Sequence, residues 1–226
     1  MSTTSANTCL IVGQGDLGRR LKQSYSNFYG KAPLTWALTS THNPDFEGPI
    51  GGKCQLDISN IDTIVIIVSP VERSQAAYFE LYDRQLGVFL SQISHQKVIF
   101  VSSTVVYNSD GQWCHENSEV TGNNFRAIGI LHAERHVRYY CPNNHVIYRL
   151  SRLIDKKVQI TDCVWNNFVF RQDVINILLE TILNDKIKGT YNLSSSPQYY
   201  EQGKKLGKKV CNLKILSELD YIFRVE

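Results

Sequence analysis

The sequence predicts an α/β protein built on a doubly wound parallel sheet, with helices on both faces of the sheet. Three observations indicate this fold class. Short apolar runs alternate with amphipathic segments along most of the 226 residues, the run at residues 61–68 is β-branched almost throughout, and the first run leads directly into a glycine-rich turn. A run that is apolar without alternation is typical of a parallel strand that is buried on both faces.

The glycine-rich turn joins the first predicted strand to the first predicted helix, residues 16–28. Gly13, Gly15 and Gly18 have the spacing of a Rossmann-type turn, in which one glycine makes the bend, one lets the backbone approach a diphosphate and one lets the helix pack on the strand. The helix N-terminus adds free N–H groups for phosphates. We therefore predict a dinucleotide site made of Gly13, Gln14, Gly15, Asp16, Leu17 and Gly18. The alternative is a glycine turn that binds nothing.

The other predicted elements follow in alternation along the chain. Strands are predicted at residues 34–39, 54–56, 61–68, 98–101, 146–150 and 189–193. A loop is predicted at residues 43–53, and helices at 74–93, 125–140, 174–183 and 198–206. Ligands of such sheets bind across the carboxyl ends of the strands, so the loops that follow strands are the candidate walls of a site. We predict a nucleotide-binding domain at residues 1–150 and a C-terminal lobe at residues 151–226.

Composition and charge exclude several classes of protein. The net charge is +3 and the basic residues are scattered, which does not indicate a nucleic-acid partner. The one basic cluster, residues 204–209, is interpreted as a solvated helix end. No apolar run is long enough to cross a membrane, and six dispersed cysteines without a C-x-x-C pair indicate neither a zinc site nor a redox pair. Residues 1–8 lack the features of a signal peptide, so we expect a cytoplasmic protein.

The residues after the second predicted strand bear on which nicotinamide cofactor would bind. An acidic residue at that place would hold the ribose hydroxyls of NAD, but residues 39–42 contain no carboxylate. Ser40 and Thr41 could instead hydrogen-bond a 2′-phosphate, and Arg19 and Arg20 are close in sequence. This pattern favours NADP, with NAD possible, unless these hydroxyls are simply turn residues.

Several later segments resemble the extended short-chain dehydrogenase/reductase family, and within it the atypical NAD(P)-dependent epimerase/dehydratase branch. The most specific segment is Val101-Ser102-Ser103-Thr104-Val105-Val106-Tyr107. Further similar segments, besides the glycine turn, are residues 110–118, 148–150, 167–174 and 190–193. The resemblance covers most of the chain in register, and it implies a Rossmann-type fold with bound NAD(P).

The resemblance also implies roles for individual residues. It places Asp57 and Ile58 beside the adenine, Ser69 and Pro70 under the nicotinamide-side ribose, and Ser102 among the cofactor-binding residues. Ser103 matches the family's active-site serine or threonine, which hydrogen-bonds a substrate carbonyl or hydroxyl. Asp57 and Ser103 could alternatively be an ordinary turn former and a satisfied strand-end hydroxyl.

The chain departs from the family in two respects. Counted back from Ala133 and Glu134, the positions of the family's catalytic tyrosine and lysine fall on Arg126 and Ile130, neither of which exchanges a proton near neutrality. Tyr107 does not replace that tyrosine, because it matches one that is structural in most of the family. The second departure is a short connection before residue 167, which implies a reduced C-terminal substrate lobe and a small substrate.

Two functional hypotheses remain from different classes. The first is an oxidoreductase or epimerase acting on a small carbonyl or hydroxyl compound, with Ser103 orienting the substrate and Glu116, or the substrate itself, supplying the proton. The second is an NAD(P)-binding sensor or partner-binding protein without turnover. His132 and His136 share a helix face, but no third ligand is positioned, so we predict no metal site. The resemblance implies a homodimer through the helices at 74–93 and 125–140.

Overall fold

The computed structural model describes residues 8–38, 43–51, 57–156 and 163–224. The first half of these residues forms β1 (Cys9–Val12), α1 (Asp16–Tyr29), β2 (Leu34–Ala37), β3 (Phe46–Glu47), β4 (Thr63–Ile66), α2 (Gln75–Phe79), a π-helical stretch (Glu80–Gln85), α3 (Leu86–Leu90), β5 (Lys97–Ser103), a 3-10 turn (Thr104–Val106) and β6 (Asp110–Cys114). The second half forms α4 (Phe125–Tyr140), β7 (His145–Leu150), β8 (Arg152–Ile154), β9 (Cys163–Asn166), β10 (Phe168–Phe170), α5 (Arg171–Leu183), β11 (Gly189–Leu193), β12 (Gln198–Tyr199), β13 (Lys205–Val210) and α6 (Leu213–Leu219).

The central sheet confirms the predicted fold class. Its seven strands are all parallel and lie in the order β11-β7-β5-β4-β1-β2-β3. The order reverses between β1 and β4, which is where a doubly wound sheet opens a crevice at the carboxyl ends of its strands. The glycine turn after β1 therefore lies at the mouth of this crevice.

The core has two layers because β1 turns alternate side chains to opposite faces. Leu10 and Val12 pack into the layer beneath α2, α3 and α4, whereas Cys9 and Ile11 pack into the layer beneath α1 and α5. All four side chains are buried. Strand β11 and helix α5 both come from the predicted C-terminal lobe, yet they complete the central sheet and cover one of its faces.

The helix predicted at residues 198–206 is wrong. This part of the chain forms β12 and the start of β13, which join β9 and β6 in a second sheet of order β12-β9-β13-β6. The basic cluster is accordingly a strand and not a solvated helix end. Lys208 Nζ donates to the carbonyl oxygens of Thr104 and Tyr107, at 2.6 and 2.9 Å, and burial lowers the pKa of its amine.

Smaller differences lie around the first crossover. Strand β3 occupies part of the loop predicted at residues 43–53, and the helix predicted at 74–93 contains the π-helical stretch. The strand predicted at 54–56 lies outside the described residues, as do Ser40, Thr41 and residues 1–7. Within the described part of the chain, no helix has the length and apolar character that a membrane span requires.

Candidate functional site

The three glycines of the turn have different surroundings. Gly13 has φ +109°, and a Cβ atom there would overlap the carbonyl oxygen of Ile67. A Cβ atom on Gly18 would overlap the carbonyl oxygen of Gly13. A Cβ atom on Gly15 would meet nothing within 4 Å. The fold therefore requires Gly13 and Gly18, whereas Gly15 leaves a space open at the surface of the crevice.

Helix α1 begins at this open space. Gly15 is its N-cap and provides no side-chain cap, and the first helical hydrogen bond runs from the Arg19 N–H to the Gly15 carbonyl. The backbone N–H groups of the first turn are consequently directed out of the helix without helical acceptors, which makes this end suited to an anion. The Asp16 carboxylate beside it is neutralised by Arg20 at 3.0 Å and Arg171 at 2.8 Å. Its hydrogen bond to Arg20 lowers its pKa.

Three adjoining cavities follow the carboxyl edge of the sheet, and Val71 lines all of them. A cavity of about 240 Å³ lies between the glycine turn and the end of β2 and includes Arg19 and Leu38. A cavity of about 300 Å³ extends from Leu38 to Pro49. The largest, about 760 Å³, extends from the first turn of α1 to the end of β5 and is called the main cleft below.

Most of the predicted cofactor residues border these cavities. The smallest is lined by Gly13, Gln14, Gly15 and Ser69, and the main cleft by Gly15, Asp16, Leu17, Ser69, Pro70 and Ser102. Asp57 and Ile58 line none of the three. Asp57 accepts a hydrogen bond from the Ser59 N–H at 2.9 Å, and Ile58 packs against the core. The adenine contacts that the resemblance implies for this pair stay a prediction.

Ser103 lies in the main cleft at the end of β5, next to the two positions at which the chain departs from the family. Its hydroxyl oxygen accepts the Val105 N–H at 3.2 Å, which leaves its own proton free to be donated. Arg126 and Ile130, one turn apart on α4, line the same cleft. The structure thus brings together the residues that the sequence comparison matched to the family's active-site serine, tyrosine and lysine.

A buried ionic network holds the end of β5 in place. The Glu134 carboxylate accepts the Ser102 hydroxyl at 2.6 Å and two hydrogen bonds from Arg149, at 2.9 and 2.7 Å. Burial by itself would raise the pKa of Glu134, but the hydrogen bonds and charge of Arg149 outweigh it and hold that pKa below its ordinary value. The Ser102 hydroxyl, predicted to serve the cofactor, is therefore committed to Glu134.

Tyr107 belongs to this network and not to the cleft chemistry. Its hydroxyl donates to Asn192 Oδ1 at 2.9 Å and accepts from Arg149 at 2.8 Å. Burial raises its pKa to about 12, so it holds its proton at neutral pH. The structural role that the resemblance implied for this tyrosine agrees with these contacts.

Glu116 and Ser103 line different cavities. The Glu116 carboxylate accepts the Asn192 N–H at 2.9 Å and lines a separate cavity of about 330 Å³, together with Arg138 and Lys214. This arrangement gives no support to proton transfer between Glu116 and a substrate at Ser103, and the catalytic role of Glu116 stays a prediction. The carboxylate instead helps to fix β11.

Sequence reasoning missed several residues of the main cleft, three of which bear on its chemistry. Arg73, Tyr78 and Arg171 all line it. Tyr78 packs edge-on against Phe125 at 5.4 Å, which brings α2 against the start of α4. Arg73 and Tyr78 come from the crossover after β4, and Arg171 comes from the start of α5. No local motif connects these segments, because the sheet alone brings them together.

The two histidines of α4 share an acidic partner. Asp83 Oδ1 lies 2.6 Å from His132 Nδ1 and 3.1 Å from His136 Nε2. The π-helical stretch carries Asp83 and faces α4 at this point. Among the described residues, no group of three or more His, Cys, Asp or Glu side chains is arranged to hold a metal ion. The cluster is a helix-to-helix contact.

Neither a protein-family model nor a curated protein matches this sequence. Solved structures do match the fold. A short-chain dehydrogenase/reductase superfamily protein from Agrobacterium tumefaciens with bound NAD has a TM-score of 0.79 at 13% identity, covering 97% of this chain and 93% of that one. The dTDP-glucose 4,6-dehydratase from Bacillus anthracis in complex with NAD also has a TM-score of 0.79 at 13% identity, covering 97% and 92%. The UDP-N-acetylglucosamine 4-epimerase from Bacillus cereus has a TM-score of 0.75 at 15% identity, covering 97% and 95%.

The chain therefore has the Rossmann-type fold of the NAD-binding short-chain dehydrogenase/reductase and epimerase/dehydratase proteins. The strand order, the glycine turn and the cleft at the end of β5 agree with this likeness. At identities of 15% or less, the likeness defines the fold, and function has to be argued from the site.

Proposed function

We propose that this protein binds NADP or NAD along the carboxyl edge of its sheet and acts as an oxidoreductase or epimerase on a small carbonyl or hydroxyl compound. The observation that best supports cofactor binding is the open space at Gly15. This space lies at an uncapped helix N-terminus and opens into adjoining cavities. A diphosphate fits this combination of free N–H groups and absent side chain. Two of the similar structures described above hold NAD.

Different residues along the carboxyl edge of the sheet would bind different parts of the cofactor. The first turn of α1 would hold the diphosphate, and Arg19, which lines the cavity beside Leu38, would reach the ribose on the adenine side. Ser69 and Pro70 would lie under the nicotinamide-side ribose. Arg20 is held by Asp16 and Asp155, so of the two arginines next to the turn we assign the preference for NADP to Arg19.

When bound, the nicotinamide supplies or accepts a hydride, and the cleft residues would position the substrate for that step. Ser103 would donate its free hydroxyl proton in a hydrogen bond to the substrate oxygen. Arg126 keeps its proton near neutrality, so it would stabilise developing negative charge on that oxygen without exchanging a proton. Tyr78 is the phenol of the cleft best able to exchange one, because the Tyr82 hydroxyl is buried and donates to the Val68 carbonyl at 2.8 Å.

A second candidate function is cofactor binding without turnover, as a sensor or a partner-binding protein. It is favoured by the replacement of the proton-exchanging pair by Arg126 and Ile130, both of which line the cleft. A homodimer through α2, α3 and α4 would serve either function. Phe79, Val88 and Ile128 are exposed on these helices, and sedimentation equilibrium would measure the association.

The test begins with thermal unfolding in the presence of NADPH, NADH or neither. Oxidation of NADPH is then followed by its absorbance, with a panel of small aldehydes and ketones as substrates. The enzyme hypothesis predicts turnover that is lost in Ser103→Ala and kept in Ser217→Ala, a matched change on the exposed face of α6. Stabilisation by a cofactor with no oxidation of NADPH by any carbonyl rejects the oxidoreductase. It selects the second candidate if the optical rotation of small hydroxyl compounds is also unchanged, because an epimerase consumes no cofactor. No stabilisation by either cofactor rejects both.

A further inference from the structure

The main cleft has an unbalanced positive charge. Three arginines line it: Arg73, Arg126 and Arg171. Asp16 is the one acidic residue among the lining residues that the structure describes. Charges of one sign in a cleft with low-dielectric walls focus the field on its interior and attract ligands of the opposite sign.

One of the three arginines is already neutralised by its protein partners. Arg171 lies 2.8 Å from both Asp16 and Asp155, and Arg20 lies 3.0 Å from Asp16 and 3.1 Å from Asp155. Two arginines and two aspartates thus form a closed ring without net charge. The ring ties the first turn of α1 to the start of α5 and removes Asp16 as a partner for the other cleft arginines.

Arg73 and Arg126 have no carboxylate partner among the residues that the structure describes. Within the described ranges, neither side chain has an acidic group at ion-pair distance. Arg126 lines the main cleft with Ser103 and Ile130, at the end of β5, and does not line the cavity at the glycine turn. That cavity has its own cation, Arg19. The free charge of Arg126 is therefore available at the end of the cleft that the proposed function gives to the substrate.

From this placement we infer that the cleft selects a small oxyanion as substrate, one that carries a carboxylate or a phosphate and is held by Arg126 with Arg73. The statement that this anion is a substrate rests on the proposed function. The anion-binding site itself is argued from the arginines alone. A guanidinium group offers two parallel N–H donors to a carboxylate or phosphate, so it fixes the orientation of the anion as well as its charge. Ile130, on the next turn of α4, would contact the apolar part of such a molecule.

Isothermal titration calorimetry tests this inference with three probes: malonate, inorganic phosphate and malonamide, the neutral counterpart of malonate. Each is titrated at constant ionic strength, with and without saturating NADPH. We expect malonate or phosphate to bind and malonamide not to bind. Arg126 is itself exposed, so Arg126→Gln should weaken the binding about 2- to 5-fold, the value of an ion pair between exposed groups. Arg135→Gln, a change at an exposed position of the same helix, should leave it unaltered.

Comparison of malonate with phosphate identifies the preferred anion. The inference is overturned if neither anion binds, if malonamide binds as well as malonate, or if Arg126→Gln has no effect. Loss of cofactor binding is a separate result. If NADPH fails to bind while malonate binds and requires Arg126, the proposed function is rejected and the anion site is retained.

Discussion

The substitution Gly15→Ala separates the binding role of the glycine turn from its structural role. The new methyl group meets no protein atom within 4 Å, and the backbone at Gly15 is extended at φ −69° and ψ −169°, which alanine adopts without strain. The methyl group would occupy the space left for the diphosphate. We therefore expect normal folding and weak cofactor binding.

The expected size of each effect follows from the geometry. Alanine is a poorer N-cap than glycine but loses less backbone entropy on folding, so the change in stability should stay within about 1 kcal/mol. For this chain length, that is a change in Tm of less than about 4 °C. A cofactor at about 100 times its Kd adds roughly 2.7 kcal/mol, or a shift of roughly 5 to 11 °C. A 100-fold loss of affinity at the same concentration would reduce the shift to about 1 or 2 °C.

Gly18→Ala is the control, because we expect it to destabilise the fold itself, which Gly15→Ala should leave intact. Its methyl group would overlap the Gly13 carbonyl oxygen, so the turn must move, and overpacking of this kind costs about 1–3 kcal/mol or more. Differential scanning calorimetry of both variants and the parent protein, with and without NADPH, measures both effects. The reasoning is refuted if Gly15→Ala keeps the full cofactor-induced shift, or if Gly15→Ala lowers the Tm without ligand as much as Gly18→Ala does.

Three further predictions concern the cofactor preference, the buried network and a buried lysine. Arg19→Ala should weaken NADPH more than NADH in fluorescence titrations, and equal losses would remove Arg19 from the 2′-phosphate site. Glu134→Gln leaves the buried Arg149 without its counter-charge, so it should lower the free energy of unfolding, measured in urea, by about 3 kcal/mol. Because the pKa of Glu134 is lowered in the fold, the parent protein should also lose this stability below about pH 4. The Glu134→Gln variant should not show this loss. Burial lowers the pKa of Lys97 to about 8, so the unfolded chain binds more protons above that pH and stability should rise by about 1.5 kcal/mol between pH 8 and 9.5. A rise of the same size in Lys97→Met would contradict the assignment.

Local patterns predicted the elements whose residues carry their own signal. Helix α4 and strand β11 have the predicted bounds, Phe125–Tyr140 and Gly189–Leu193. The glycine turn was identified because its spacing reflects close contacts within a short stretch: Gly13 against β4 and Gly18 against Gly13. The main cleft followed from the rule that ligands bind at the carboxyl ends of parallel strands.

The second sheet was missed because its strands pair only with distant parts of the chain. Strand β13 pairs with β6 and β9, which no local window reveals. A signal was present in Gly203, which lies within the wrongly predicted helix, and Gly207 follows that helix directly. Gly207 has φ +72°, and a Cβ on Gly203 would overlap the backbone of Cys163. A glycine inside a helix costs about 1 kcal/mol relative to alanine, so Gly203 argues against a helix there, whereas a glycine at position 207 is also compatible with a helix end.

The hydrogen bond that holds the Glu116 carboxylate could not be predicted from the sequence for a related reason. A loop carboxylate after an active-site strand looks available in the sequence, but its partner, the Asn192 N–H, is 76 residues away in β11. The acceptor of the Ser102 hydroxyl is also distant in sequence, because it is Glu134 on α4, 32 residues away. Polar side chains near a cleft can be assigned to ligands only after their long-range hydrogen bonds are known.

Helix α4 explains how the geometry at Ser103 is independent of Arg126 and Ile130, which stand where the family that this chain resembles has its proton-exchanging pair. Glu134 lies on the buried side of this helix and fixes the end of β5 through Ser102 and Arg149, whereas Arg126 and Ile130 line the cleft. Since the buried network includes neither Arg126 nor Ile130, we expect changes at these two positions to alter the chemistry and to leave the position of Ser103 unaltered. A well-placed Ser103 therefore supports a bound substrate oxygen and does not by itself support the family's proton relay. That is why turnover in Ser103→Ala and anion binding in Arg126→Gln have to be measured as separate properties.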